Sequence, residues 1–150
     1  MKPLIFATAI WMLAGALPAL QAETPQVELS AAQHPFLEWG GEYPRWSALT
    51  PQQAVADIRQ AIELAKKRME AICQVQPGQA TWENTFAAYD ALDVELGYAD
   101  QLMSNLAYLM DSPEWRAAME EVSPMLAEYS ASVSSHERLW AVLRAASTQS

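Results

Sequence analysis

The feature that most constrains the fold is the spacing of apolar side chains, which recur every three or four residues along most of the chain. On an α-helix this spacing places the side chains on one face, because the helix has about 3.6 residues per turn. The alternation and the hairpin dipeptides that would indicate strands do not interrupt the pattern. The sequence therefore predicts an all-α fold, an antiparallel array of long helices.

The first helix has clear signals at both ends. Thr50 is expected to be its N-cap and Pro51 its first residue, with Gln53 completing a capping-box pattern. The helix is predicted to stop at Pro77-Gly78. One apolar stripe runs along it: Val55, Ile58, Ile62, Ala65, Met69, Ile72 and Cys73.

The second helix is predicted to begin after Thr81, the expected N-cap, with Glu83 at the positive end of the helix dipole. The pattern predicts one unbroken helix as far as Met110, with Trp82 packing at its foot. Its stripe is Trp82, Phe86, Tyr89, Leu92, Leu96, Ala99, Met103, Leu106 and Met110.

A third helix is expected from Ser112, the N-cap, and Pro113. Pro124 lies inside the pattern and is predicted to kink or break the helix near Glu120 and Glu121. The stripe is Trp115, Met119, Val122, Leu126, Tyr129 and Val133. Beyond it, an extension and a fourth helix both remain possible for the segment with Leu139, Trp140 and Leu143.

Residues 1–22 have the order of a secretory signal peptide. Lys2 precedes an apolar run from Leu4 to Leu17, and small residues lead to a cleavage site expected after Ala22. A membrane anchor is the alternative, but the run is shorter than the roughly 20 residues that a span needs. The sequence therefore predicts export, to the periplasm or to the medium.

Residues 23–49 are irregular, with several prolines and the pair Gly40-Gly41. Spaced apolar side chains favour an extended arm that docks onto the helices over a disordered tail, which would contain few aromatic residues. These anchors are Phe36, Leu37, Trp39, Tyr43 and Trp46. Residues 50–150 are then a helical N-terminal lobe, expected to be incomplete.

The charge balance excludes several classes of partner. The chain has 150 residues and a net charge of −9, and removal of residues 1–22 leaves 18 acids and 8 bases. Nucleic acid and anionic lipid need clustered basic side chains. The run Lys66-Lys67-Arg68 lies beside Glu63 and Glu70, so a solvated helix face is expected there. No nucleic acid, and no membrane after signal cleavage, is expected as a partner.

No catalytic, cofactor-binding or metal-binding residue is expected in this chain. "HERLW" begins at His136 like the zinc motif His-Glu-x-x-His, but Trp140 occupies the position of the second histidine. His136 is therefore predicted to be a surface residue at a helix start, and His34 to make only local hydrogen bonds. Cys73, the single cysteine, is predicted to be buried, because it lies on an apolar stripe.

The remaining polar side chains also lack the partners that catalysis requires. The carboxylates between the stripes are expected to face solvent: Asp90, Asp93, Glu95, Asp100, Glu120 and Glu121. A cluster of serines has neither a base nor an orienting acid nearby in the sequence: Ser130, Ser132, Ser134 and Ser135. The chain alone is predicted to be inactive.

Short motifs in a fixed order carry a resemblance to a known family. They are His34-Pro35-Phe36, the stretch from Pro44 to Leu49, the amphipathic helix after Thr50, the helix start from Thr81 to Thr85, and Pro124-Met125-Leu126. From about His34 to Ala146 the chain resembles the N-terminal region of the thimet oligopeptidase family, zinc metallopeptidases that include oligopeptidase A and peptidyl-dipeptidase.

The resemblance implies a division of roles within a longer protein. The zinc of complete members is held by a His-Glu-x-x-His helix and a glutamate far downstream, and their N-terminal helices form one wall of a channel for short peptides. The expected partners are then a missing C-terminal catalytic part and, in the complete enzyme, short peptides, with Ser150 as a truncation point. The alternative is a free-standing exported helical binding or chaperone-like module, which the long apolar stripe and the acidic surface also favour.

Overall fold

The computed structural model describes residues 33–38 and 43–148. Within these ranges the regular structure is helical, with no strand, which confirms the all-α prediction. The α-helices are α1 (Pro51–Cys73), α2 (Ala88–Asp90), α3 (Val94–Met110), α4 (Pro113–Ser134) and α5 (Glu137–Ser147). Short 3₁₀ turns lie at Pro35–Leu37, Trp46–Ala48 and Pro77–Gln79, and a π-helix at Glu83–Ala87 leads into α2.

The predicted signal peptide, residues 1–22, lies outside the described residues. So do residues 23–32 and 39–42, and the extended arm as a unit stays a prediction. In its described parts Phe36 is fully buried and Leu37 nearly so, whereas Tyr43 and Trp46 are exposed. None of the described helices has the length and apolar character needed to cross a bilayer.

Helix α1 lies at the centre of the array and contacts α3, α4 and α5. Its first half packs against α3, α4 and the 3₁₀ turn Pro35–Leu37 in one apolar cluster, in which Ile58, Met103 and Val122 are fully buried. Its second half packs with Leu92 and α5 in a second cluster. Both clusters use the stripe on α1 that the sequence predicted.

The predicted caps of α1 and α4 are confirmed. The Thr50 hydroxyl accepts a hydrogen bond from the Gln53 backbone N–H at 3.2 Å. The Ser112 hydroxyl accepts one from the Trp115 N–H at 3.4 Å. A side-chain oxygen can satisfy an N–H of the first turn without any distant partner, so these helix starts are local features.

Thr81 also caps its helix, in a reciprocal pair with Asn84. The Thr81 N–H donates to the Asn84 side-chain oxygen at 2.8 Å, and the Asn84 N–H donates to the Thr81 hydroxyl at 3.3 Å. Trp82 stacks on Phe86, with 5.4 Å between ring centroids, but 67% of its surface is exposed, so its predicted role as a packing anchor for the array is wrong. The π-helix explains this: the Ala87 N–H donates to the Trp82 carbonyl, five residues back, so spacings based on 3.6 residues per turn fail there.

The predicted unbroken helix from Trp82 to Met110 is also wrong, because residues 91–93 form a turn between α2 and α3. Arg68 on α1 donates to the carbonyls of Ala91 at 3.1 Å and Leu92 at 3.4 Å. A guanidinium from another helix thus satisfies acceptors that an unbroken helix would satisfy internally. The apolar stripe continues across the turn, with Leu92 buried, so its periodicity hides the interruption.

Helix α4 runs without a break from Pro113 to Ser134. Of the kink or break predicted from Pro124 near Glu120 and Glu121, the break is therefore wrong. Trp115, Val122 and Tyr129 are buried along its length, and this packing holds the helix on both sides of the proline. The segment after Ser134 is a separate helix, α5. The structure thereby selects one of the two alternatives that the sequence left open.

Candidate functional site

A buried carboxylate that the sequence analysis missed joins α1 to the segment before it. Asp57 is fully buried. It accepts hydrogen bonds from His34 Nδ1 at 2.8 Å, the Phe36 N–H at 2.9 Å and Gln53 Nε2 at 2.7 Å. Because a carboxylate only accepts, the His34 ring donates through Nδ1. This bond joins two residues that are far apart in the sequence, so the prediction that His34 makes only local hydrogen bonds is wrong.

The position of Asp57 contains a signal that could have revealed its burial. It lies three residues after Ala54, next to Ile58 and four before Ala61, on the spacing of the apolar stripe itself. A charged residue at such a position is buried only when its hydrogen bonds are satisfied. The cluster is fully satisfied, so it positions the chain and leaves no open site for a ligand.

Arg68 and Glu95 form a second polar cluster, at the turn between α2 and α3. Arg68 Nη2 donates to Glu95 at 2.7 Å, and Nη1 donates to its other carboxylate oxygen. This hydrogen bond from Arg68 lowers the pKa of Glu95, against the opposing effect of burial, and the same bond raises the pKa of Arg68. Arg68 therefore pairs with Glu95 and does not belong to the solvated basic face that was predicted for Lys66-Lys67-Arg68.

Tyr129 extends this cluster from α4. Its hydroxyl donates to Asp93 at 3.3 Å. Burial is the main reason that the pKa of Tyr129 lies well above its ordinary value, and the nearby Asp93 carboxylate adds to the rise. The contacts at the turn therefore join three helical segments. They stabilise the fold and present no reactive group.

The predicted exposure of the six carboxylates is confirmed for four and wrong for two, Glu95 and Asp100. Glu95 is largely covered, with 17% of its side-chain surface exposed, because it pairs with Arg68. Asp100 is half-buried. The exposed carboxylates are Asp90, Asp93, Glu120 and Glu121.

Cys73 and His136 meet where α1 ends and α5 begins. Cys73 is buried, as predicted, and its Sγ lies 3.8 Å from His136 Nδ1. Burial raises the pKa of the Cys73 thiol. His136 is the N-cap of α5, since its Nδ1 accepts from the Leu139 N–H at 3.2 Å, and it is half-buried rather than on the surface.

The described residues do not fit the tetrahedral zinc site that the family resemblance implies for complete members. Such a site needs three or four protein ligands. Within residues 33–38 and 43–148, no three or more His, Cys, Asp or Glu side chains lie together as a potential metal site.

The serine hydroxyls at the end of α4 donate to helix carbonyls: Ser132 to Tyr129, Ser134 to Ser130 and Ser135 to Ala131.

The C-terminal end of α3 presents an apolar surface instead of a polar site. Tyr108, Leu109 and Met110 follow one another there, with 85%, 74% and 63% of their surfaces exposed. The helix then ends at Asp111, whose φ of 40° is left-handed. Consecutive large apolar side chains on a surface are typical of a contact with another body. This α3 surface (Tyr108–Met110) is the candidate functional site of the described chain.

The described chain is an all-helical array with an apolar helix end. Its sequence belongs to the thimet oligopeptidase family of metallopeptidases, as the resemblance predicted. The chain is 32% identical to oligopeptidase A of Escherichia coli (strain K12) over 103 residues. It is 31% identical to oligopeptidase A of Salmonella typhimurium over 101 residues. These stretches are 69% and 67% of this chain, which spans 15% of each relative. No family model and no solved structure matches the chain.

Proposed function

We propose that this chain is the N-terminal, non-catalytic helical part of an exported zinc metallopeptidase that hydrolyses short peptides. The observation that carries the proposal is the similarity to oligopeptidase A, which extends over two thirds of this chain but over 15% of each relative. The proposal assigns zinc binding and catalysis to a C-terminal part of the longer protein. This chain then supplies a rigid wall beside the peptide site.

The polar clusters support the role of a rigid wall. Asp57 fixes the segment containing His34 and Phe36 to α1, and Arg68 fixes the turn before α3. Buried, fully paired polar groups favour a single arrangement of the elements that they join. The α3 surface (Tyr108–Met110) supports the existence of a further body, against which its apolar side chains would be covered.

The first test measures zinc and peptidase activity in the purified, tag-free chain. We expect less than stoichiometric zinc after dialysis. We also expect no chelator-sensitive cleavage of a quenched fluorescent short peptide. Oligopeptidase A of Escherichia coli, purified in the same way, serves as the positive control. Chelator-sensitive cleavage by the isolated chain would show that catalysis lies within it, and the proposal would be wrong.

The second test replaces the matching stretch of Escherichia coli oligopeptidase A with residues 33–148 of this chain. We expect the chimera to cleave the peptide, whereas the same enzyme with the stretch deleted should not. A chimera that carries an unrelated helical segment of equal length is the matched control. Equal activity of the two chimeras, or inactivity of the first with a native-like melting transition, would contradict the proposed role.

Export is a separate part of the proposal, supported by the order of charged, apolar and small residues in 1–22. Expression in Escherichia coli, osmotic-shock fractionation and N-terminal sequencing test it. We expect periplasmic protein that begins at Glu23. Protein that retains Met1 and stays in the cytoplasm would remove export from the proposal and leave the metallopeptidase part unaffected.

A free-standing helical binding or chaperone-like module is the alternative. It requires the isolated chain to melt cooperatively as a monomer and to bind unfolded polypeptide through the α3 surface (Tyr108–Met110). Binding of a reduced, unfolded model protein, lost on substitution of Leu109, would favour this alternative when the first chimera is also inactive.

A further inference from the structure

Three side chains that favour soft metal ions border one groove between α1 and the junction of α4 and α5. Met69 and Cys73 are four residues apart on α1 and therefore lie on one face of it. His136 approaches the same place from the residue before α5. A groove of about 470 Å³ is lined by all three residues. The proposed peptidase function uses none of them.

The tautomer of His136 leaves a lone pair on the nitrogen nearest the thiol. The Leu139 backbone N–H lies 3.2 Å from His136 Nδ1, and an amide N–H can only donate. The ring proton is therefore on Nε2, and Nδ1 carries the lone pair. Neutral imidazole is the form that binds metal ions, and at His136 an ion would have to compete with the Leu139 N–H for the Nδ1 lone pair.

The separation of the sulfur and nitrogen atoms suits one bridging ion. Cys73 Sγ and His136 Nδ1 are 3.8 Å apart. Bonds of about 2.3 Å to sulfur and about 2.0 Å to nitrogen, the lengths found at zinc, span such a separation at an ordinary angle. Because the Sγ–Nδ1 separation already matches this span, α1 and α5 need no large movement relative to each other.

We propose that Cys73, His136 and Met69 bind one Cu(I) ion. Thiolate and thioether ligands select Cu(I), and this ion is stable with few ligands, whereas zinc at a structural site requires four. Glu70 also lines the groove, but the described chain has no group of three or more His, Cys, Asp or Glu side chains that would hold a metal. The donor set therefore favours a soft monovalent ion over a hard divalent one.

Binding exchanges the thiol proton for the ion. The Cys73 thiol is protonated before binding, since its burial disfavours the thiolate. Cu(I) takes the sulfur, one proton passes to solvent, and the thiolate neutralises the charge of the ion without any change of oxidation state. The His136 lone pair turns from the Leu139 N–H to the metal, so occupation of the site is coupled to the first turn of α5.

The test titrates the reduced, tag-free full chain with Cu(I) under anaerobic conditions, against the chromophoric chelator bicinchoninate. We expect one equivalent of Cu(I) to be withheld from the chelator. Cys73→Ser should lose this binding by more than the roughly 10–100-fold that removal of an outer-shell partner costs. Zn²⁺ at equal concentration should not displace the bound ion.

Two variants separate ligand loss from structural damage. His136→Asn keeps a capping side chain at the start of α5 but removes the imidazole, so we expect native melting and weakened Cu(I) binding. Met69→Leu conserves volume and removes the thioether, and we expect about tenfold weaker binding. Met103→Leu, in the other apolar cluster, is the matched control and should bind as tightly as the unmodified chain.

Several results would overturn the site. Failure of the chain to withhold Cu(I) from the chelator would do so, as would unchanged binding in Cys73→Ser or in natively folded His136→Asn. Equal losses in Met69→Leu and Met103→Leu would exclude Met69 as a ligand and contradict the three-ligand set. None of these results depends on peptidase activity, so failure of the Cu(I) site would not contradict the proposed function.

Discussion

At the scale of single residues, the Asp57 carboxylate joins two separate parts of the chain. Burial of a charge is costly unless its hydrogen-bonding capacity is used, and here three donors from two segments converge on it. The fully buried Phe36 lies two residues after His34 and meets Trp115 edge-on, with 6.4 Å between ring centroids. The polar and apolar contacts of this segment therefore support each other.

Asp57→Asn tests this role without changing the shape of the side chain. An asparagine amide group presents a donor toward the Phe36 N–H or the His34 ring, so one buried donor is left unsatisfied. We expect the free energy of unfolding in urea to fall by about 2–3 kcal/mol. Asp90→Asn, at an exposed position, should change it by less than about 0.5 kcal/mol. Equal effects of the two substitutions would contradict the role of Asp57.

Glu95 provides a pH-dependent test of the second polar cluster. Arg68 lowers its pKa in the folded state, so the folded chain binds this proton less readily than the unfolded chain does. The stabilisation is then complete above the ordinary value of 4.5 and is lost as the pH falls through the lowered folded pKa. Glu95→Gln should cost about 1–3 kcal/mol at pH 7 and progressively less below about pH 4.

Urea unfolding curves of both proteins from pH 7 to pH 3 measure this difference. Glu120→Gln, at an exposed position on α4, is the control and should show no comparable change across the range. A deficit for Glu95→Gln that stays constant down to pH 3 would mean that the stabilisation does not come from the charged pair.

At the scale of the elements, α4 accommodates a proline in its interior. Pro124 cannot donate to the carbonyl four residues earlier, which normally costs about 3 kcal/mol. Its side chain is exposed, so an alanine there loses no packing. We expect Pro124→Ala to raise the free energy of unfolding by about 1–3 kcal/mol, measured in urea or as a higher melting temperature.

Pro113 on the same helix is the matched control for this substitution. It occupies the first helical position, where no backbone donor is missing. Pro113→Ala should leave stability unchanged or reduce it by up to about 1 kcal/mol, because the unfolded chain gains freedom. A destabilised Pro124→Ala variant would show that the proline has a structural role in α4.

The elements also show what the sequence could predict. The caps at Thr50 and Ser112 are local chemistry, and they were predicted with their residues. The turn before α3 is stabilised by Arg68, which lies far away in the sequence. No local sequence pattern therefore predicts this turn. The exposure of Trp82 follows from a π-helix, whose wider turn breaks the spacing on which the prediction relied.

The same distinction applies to the polar clusters. His136 was predicted at a helix start, and the structure adds its pairing with Cys73, which depends on how α1 and α5 meet. The ties from Asp57 to His34 and from Arg68 to Glu95 likewise required the packed array. Sequence periodicity identifies the faces of helices, but it does not specify which charged side chain turns inward.

At the scale of the whole molecule, a central helix organises two apolar clusters, yet the end of α3 leaves its apolar side chains uncovered. The chain spans 15% of the length of each relative that it matches, so most of a relative's length lies outside the match. If the proposed function is right, the α3 surface (Tyr108–Met110) is covered in the longer protein. A charge introduced there should then leave the stability of the isolated chain unchanged and reduce the stability of the longer protein.

Leu109→Lys makes this comparison between the isolated chain and the Escherichia coli chimera. In the isolated chain Leu109 is exposed, so we expect the free energy of unfolding to change by less than about 0.5 kcal/mol. In the chimera, burial of an unpaired ammonium group should cost about 2–3 kcal/mol or more and lower the melting temperature and the peptidase activity. Gln101→Lys, at an exposed polar position on the same helix, should change neither protein. If the chimera tolerates both lysines equally, the α3 surface faces solvent in the longer protein, and its contact lies elsewhere on the array.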